Sequence, residues 1–243
     1  MMQYRTVMTR QQFVLDADSH RQQIAVQIPI GDARIEGDLV IPERARGAIL
    51  FAHGSGSSRY SPRNRYVAQV LQEAGLATLL LDLLTHEEEV IDTRTAALRF
   101  NIRLLAERLV EATRWLVEQP QTSALPIGYF GASTGAAAAL VSAALIPELV
   151  ASVVSRGGRP DLAGTALRHV LAPTLLIVGG DDVIVLELNR KALALLPGEK
   201  KLEIIPGATH LFEEPGALEA VAELARDWFV LHLSAAGSRT RAA

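Results

Sequence analysis

A serine set between two glycines, Gly131-Ala132-Ser133-Thr134-Gly135, is the stretch of this sequence best suited to covalent chemistry. Before it lies Pro126-Ile127-Gly128-Tyr129-Phe130, a short apolar run that predicts a buried strand; after it, residues 136–146 are rich in strong helix formers. G-x-S-x-G between a strand and a helix is the pattern of a nucleophile elbow, a sharp turn that holds a serine hydroxyl out on a strained corner. The turn crowds the residues two before and two after the serine, where a Cβ would collide, so glycine is expected at both. The start of the following helix offers free N–H groups and the positive end of a dipole, which suit a developing oxyanion.

A serine hydroxyl is a weak nucleophile at neutral pH and needs a base, itself oriented by a carboxylate. His20, His169 and His232 fall in leader or helical contexts with no matching partner. His86 opens the acidic run His86-Glu87-Glu88-Glu89, which lacks the second histidine of a zinc-binding helix and predicts a solvated loop or helix start. His53 precedes Gly54 and is expected to shape a turn. His210 ends Pro206-Gly207-Ala208-Thr209-His210, just past an apolar run, and is the expected base. The acid is expected in Gly179-Gly180-Asp181-Asp182; one aspartate would orient His210 and the other cap the helix that follows. The expected oxyanion donors are the N–H of Thr134 and that of Ser55, with Gly56 as the alternative, in the turn His53-Gly54-Ser55-Gly56-Ser57-Ser58.

The elements that must hold these residues alternate along the chain. Residues 24–30 and 33–41 alternate apolar and polar around Gly31-Asp32, which predicts a hairpin. The continuous apolar run at 48–52 predicts a strand buried on both faces, and further strands are expected at 76–84, 126–130, 149–154, 174–178 and 202–205. Helices are expected at 64–74, closed by Gly75, at 95–119, stopped by Pro120, and at 163–170, 185–195 and 215–233. Alternating strands and helices imply a mostly parallel sheet of about eight strands with helices on both faces and the antiparallel hairpin at one edge. One domain over 24–233 is expected, with residues 1–23 as a leader and 234–243 as a tail.

Composition excludes several classes. The chain has 243 residues, a net charge of −3 and a pI near 6.1, so no nucleic-acid partner is indicated. The absence of cysteine rules out a disulfide framework, a thiolate nucleophile and a cysteine metal site. Residues 1–23 are polar and lack the apolar core of a signal peptide, and no apolar run reaches membrane-spanning length. A cytoplasmic location is the expectation.

These segments together resemble the α/β-hydrolase superfamily, and within it the dienelactone hydrolase-like group, over about residues 24–233. The resemblance implies the α/β-hydrolase fold and the order Ser133, Asp182, His210. It selects Asp182 over Asp181, because the family places its acid three residues after a glycine, here Gly179. True dienelactone hydrolases carry a cysteine nucleophile; serine at 133 points instead to cleavage of small carboxylic esters or lactones through an acyl-enzyme. Many relatives insert a lid between the strands that end at Val154 and begin at Thr174; this chain has no room for a large one, so an open site is expected. Arg59, Arg63 and Arg65, together with Arg156 and Arg159, are expected at its mouth, where Arg156 and Arg159 would bind an anionic group on the substrate. No metal or organic cofactor is implied. Acyl transfer on the same residues and a non-catalytic binding or scaffold role on this fold are the rival readings.

Overall fold

The computed structural model describes residues 13–15 and 21–240. β2 (Arg21–Ile30) and β3 (Ala33–Pro42) pair antiparallel with Ile30 opposite Ala33, leaving Gly31 and Asp32 as a two-residue turn. Gly31 sits at φ +56°, a conformation that glycine adopts without penalty. Ile24, Val26, Ile28 and Ile30 enter the core while the residues between them stay outside. The continuous apolar runs instead become β4 (Ala48–Ala52), β5 (Ala77–Leu81), β6 (Ile127–Ala132) and β8 (Thr174–Gly179), buried along their whole length.

With β1 (Phe13–Leu15), β7 (Val150–Arg156) and β9 (Lys200–Ile205), the sheet runs β1-β2-β3-β5-β4-β6-β7-β8-β9. It is parallel from β5 onward and antiparallel at the N-terminal edge. The strand beyond the expected eight is β1, which pairs Phe13 with Ile24 and lies inside the stretch read as a leader. Three residues are too few to display a period.

Helices cover both faces. α1 (Pro62–Glu73) and α6 (Ala217–Thr240) pack against one face with Phe51, Phe130 and Phe229 between them and the sheet. α3 (Ile102–Glu118) and α4 (Thr134–Leu145) cover the other, around Leu50, Leu109 and Tyr129. The single helix expected at 95–119 is instead two. α2 (His86–Thr95) starts at a capping box between Thr85 and Glu88, and Ala96 ends it in the left-handed region. α3 starts afresh at Asn101, whose Oδ1 accepts from the Leu104 N–H at 3.1 Å. Apolar spacing carried across that break because Leu98 packs on the same core as α3. α6 continues to Thr240, past the start of the expected tail.

β7 and β8 are joined by the short 3₁₀ segment Pro160–His169, kinked at Gly164, so no large lid is inserted there. α5 (Val183–Leu195) follows β8. Among the described residues no helix is long and apolar enough to cross a membrane. β4 pairs with β5 on one side and β6 on the other. The chain therefore leaves β4 in one direction and later returns across it, and a crevice opens where the strand order reverses, at the C-terminal ends of β4 and β6.

Candidate active site

Ser133 stands at that crevice. It is the first residue after β6 and the N-cap of α4, with φ +50° and ψ −120°, a sparsely populated conformation for a residue with a Cβ. The turn is tight enough to dictate its neighbours. A Cβ on Gly131 would lie 2.4 Å from Ala136 Cα, and one on Gly135 would lie 2.2 Å from the Ala52 carbonyl oxygen. Both glycines of the motif are thus fixed by backbone contact. Two backbone bonds from the strand-7 side complete the frame: the Ser133 N–H donates to Arg156 O at 3.3 Å, and Ser133 O accepts from the Arg159 N–H at 3.1 Å.

The loops that carry Asp182 and His210 are laced together in the same way. Gly180 N–H donates to Ile205 O at 2.8 Å and Asp181 N–H to Ala208 O at 3.0 Å. A Cβ on Gly179 would meet Ala208 O at 2.3 Å, so glycine is required for the approach. This brings Asp182 Oδ2 to 2.6 Å from His210 Nδ1, a short charge-assisted contact in which Nδ1–H donates and Nε2 is left free as a base. Asp182, rather than Asp181, therefore partners the histidine. Asp182 is also the N-cap residue of α5, though its side chain makes no cap bond, so Asp181 does not take the capping role expected of it. The His210 side chain is 40% exposed, consistent with an open site.

Gly157 joins the two halves and was missed in the sequence. It has φ +51°; a Cβ there would sit 3.1 Å from His210 O and 3.7 Å from His210 Cε1. The residue whose carbonyl holds Ser133 is thus followed directly by the one on which His210 rests. The Gly157-Gly158 pair after a strand was the available signal.

On the other side of Ser133 the turn after β4 meets the elbow. His53 is half-buried; its Nε2 accepts from the Leu83 N–H at 3.1 Å, so the proton is on Nδ1, 2.9 Å from Gly54 O. Burial holds its pKa below the usual histidine value, outweighing its bond to Gly54 and the charges of Asp82 and Glu89. It is a neutral tie between strands, as a turn-shaping residue should be. The Ser55 N–H, one expected oxyanion donor, is 2.9 Å from Thr134 Oγ1. The Thr134 N–H, first in its helix, has no intrahelical acceptor. A cavity of about 590 Å³ opens beside the elbow; Gly54, Ser55, Gly56, Arg63, Arg99 and Thr134 are among its lining residues, whereas Ser133, Asp182 and His210 are not.

Of the five arginines expected at the mouth, Arg63 lines the cavity and the other four do not. Arg156 does not reach the mouth: it is 6% exposed, because the alternation of β7 turns it onto the face covered by α1. There its guanidinium lies 3.3 Å from Asn64 Oδ1 and over the Phe212 ring, and burial, with the charge of Arg63, pushes its pKa down to about 10. Arg159 is held by both oxygens of Asp161, at 2.9 and 2.8 Å, and neither residue lines the cavity. Arg59 ties Asp82 to Glu36, and Arg65 reaches Asp38 at 3.2 Å, both as structural ion pairs. Arg99, which no motif marked, does line the cavity. Its Nε is 2.6 Å from Asp92 Oδ2, and its own N–H and that of Leu98 reach Asp92 Oδ1 at 3.0 and 2.8 Å. Burial raises the Asp92 pKa, but these bonds outweigh it and hold the carboxyl below its ordinary value.

Residues 35–233 match the model of the dienelactone hydrolase family. A crystal structure of dienelactone hydrolase from Anabaena variabilis is 64% identical, covers 88% of this chain and 99% of its own, and superposes with a TM-score of 0.87. Est1E from Butyrivibrio proteoclasticus, at 16% identity, shares the fold with a TM-score of 0.73 over 86% of this chain and 99% of its own. Two Mycobacterium tuberculosis proteins provisionally named phosphoribosyl transferases are 60% identical over 221 residues, which is 91% of this chain. The chain spans about half the length, 49%, of these curated relatives.

Proposed function

This chain belongs to the dienelactone hydrolase family, and from that premise we propose that it is a serine hydrolase acting on small carboxylic esters or lactones. The observation that carries the reading is the 2.6 Å contact of His210 with Asp182, built by loops laced to the one that frames Ser133. With Nδ1–H on Asp182, His210 Nε2 takes the Ser133 proton as Oγ bonds to the carbonyl carbon. The tetrahedral intermediate collapses to an acyl-enzyme while His210 returns the proton to the leaving alcohol. Water then repeats the sequence and frees the acid.

The polar, unlidded cavity favours short esters over long lipid chains. Arg63, which pairs with Glu213 at 3.2 Å, and Arg99, which pairs with Asp92 at 2.6 Å, line the cavity and are the arginines we assign to an anionic group on the substrate, in place of Arg156 and Arg159. The name phosphoribosyl transferase is borne by proteins about twice as long as the stretch matched here.

Hydrolysis of short-chain p-nitrophenyl esters by the chain and by Ser133→Ala tests the reading. Turnover that disappears in the variant, with fluorophosphonate labelling of Ser133 in the parent, is the expected result. A parent that neither hydrolyses esters nor takes the label would overturn it in favour of a non-catalytic binding role.

A further inference from the structure

Thr134 is 3% exposed yet lies in the cavity lining directly after the nucleophile. Its Oγ1 accepts from the Ser55 N–H at 2.9 Å. A hydroxyl carries one donor and two acceptor sites, so its own proton remains to be given. A threonine inside a helix usually spends that proton on the carbonyl four residues back. At the first position of α4 that carbonyl belongs to Phe130, inside β6, and among the described residues the Thr134 hydroxyl donates to no acceptor. A buried O–H without an acceptor, on the cavity-lining residue next to Ser133, is therefore a donor in search of a ligand.

We propose, resting on the serine-hydrolase reading, that Thr134 stabilises the oxyanion twice, through its backbone N–H and through its hydroxyl. Ser55 N–H acts through that hydroxyl: by bonding to Oγ1 it fixes the rotamer and polarises the O–H toward the substrate. As Ser133 Oγ bonds to the carbonyl carbon, the Ser133 proton goes to His210 Nε2 and the C=O π pair moves onto oxygen. Thr134 keeps its proton throughout and only donates a hydrogen bond. Thr134 is then a catalytic residue, and Ser55 a positioning one.

The test compares Thr134→Val, which keeps the shape and removes the hydroxyl, with Thr134→Ser, which keeps the hydroxyl. Thr134→Ala replaces the valine variant if circular dichroism finds it unfolded. On a p-nitrophenyl ester the variants without a hydroxyl should lose about 100-fold in kcat, as for other lost oxyanion donors, with little change in KM. Inhibition by a trifluoromethyl ketone, whose adduct carries the oxyanion, should weaken in parallel, and Thr134→Ser should retain most of both. The opposite geometry has the hydroxyl plugging a hole that Ser55 N–H serves directly; removing it would leave the rate unchanged or raise it, and that result overturns the proposal. A serine variant as slow as the valine one also overturns it. A wild type inert to esters and fluorophosphonate ends both readings, whereas labelling at equal rates in wild type and Thr134→Val ends this one alone.

Discussion

Two regions border the same crevice and are held together by opposite means. Around Ser133, Asp182 and His210 the chain is fixed by backbone against backbone, with Gly131, Gly135, Gly157 and Gly179 admitting carbonyls and main-chain atoms where a Cβ would stand. Across the cavity, the wall formed by α2 and the loop to α3 is fixed by side chains: Asp92 gathers Arg99 and Leu98, and Arg108 reaches Glu88 at 2.7 Å. The first region is held by close main-chain contacts, which suits chemistry that needs precise placement. The second can be retuned by single substitutions, which suits a surface that selects among substrates.

Breaking the catalytic side should have the largest effects. Ser133→Ala should lower kcat by about 10⁶-fold while leaving the thermal midpoint near that of the parent. Asp182→Asn should cost about 10⁴-fold, because His210 loses the partner that fixes its tautomer; steady-state kinetics on one p-nitrophenyl ester measures both. Gly135→Ala should act on stability instead, since its Cβ would fall 2.2 Å from Ala52 O. A loss of about 3 kcal/mol or more, roughly 10 °C in a thermal melt, is expected.

On the cavity wall the expected effects are smaller and depend on pH. Asp92 has a lowered pKa when folded, so its contribution is present at neutral pH and is lost as pH falls from the ordinary carboxylate value through the lower folded one. Asp92→Asn should flatten the acid limb of the stability curve and speed hydrogen exchange at residues 96–101, while kcat on a neutral ester changes little. Smaller still is the effect of His53. Its folded pKa is also lowered, but for a base this means that the unfolded chain binds the extra proton, so stability declines as pH falls below about 6.5. His53→Gln should remove that slope between pH 7 and 5, read from thermal midpoints.

How far the sequence carried the reading follows from the same contrast. The turns that carry Ser133, Thr134 and His210 were legible because backbone-held turns force residue types, and forced residues leave a pattern: two glycines at fixed offsets, a glycine loop after an apolar run. Asp182 needed the family pattern to separate it from Asp181, and the Oδ2 contact agrees with it. Arg156 was misplaced because a charged residue at a strand end reads as exposed, whereas the alternation of β7 carries it under α1. Arg99 and Asp92 were invisible, since a pair that bridges the end of α2 and the loop after it makes no motif.

The sequence by itself determined the order of strands and helices, the elbow and the loops that bear acid and base, because periodicity and glycine placement are local consequences of backbone geometry. The tertiary structure alone decided which arginines face the cavity, that Gly157 seats His210, and that the Ser55 N–H meets the Thr134 hydroxyl. Each of these is a contact between distant segments, set by how the crossovers stack on the sheet.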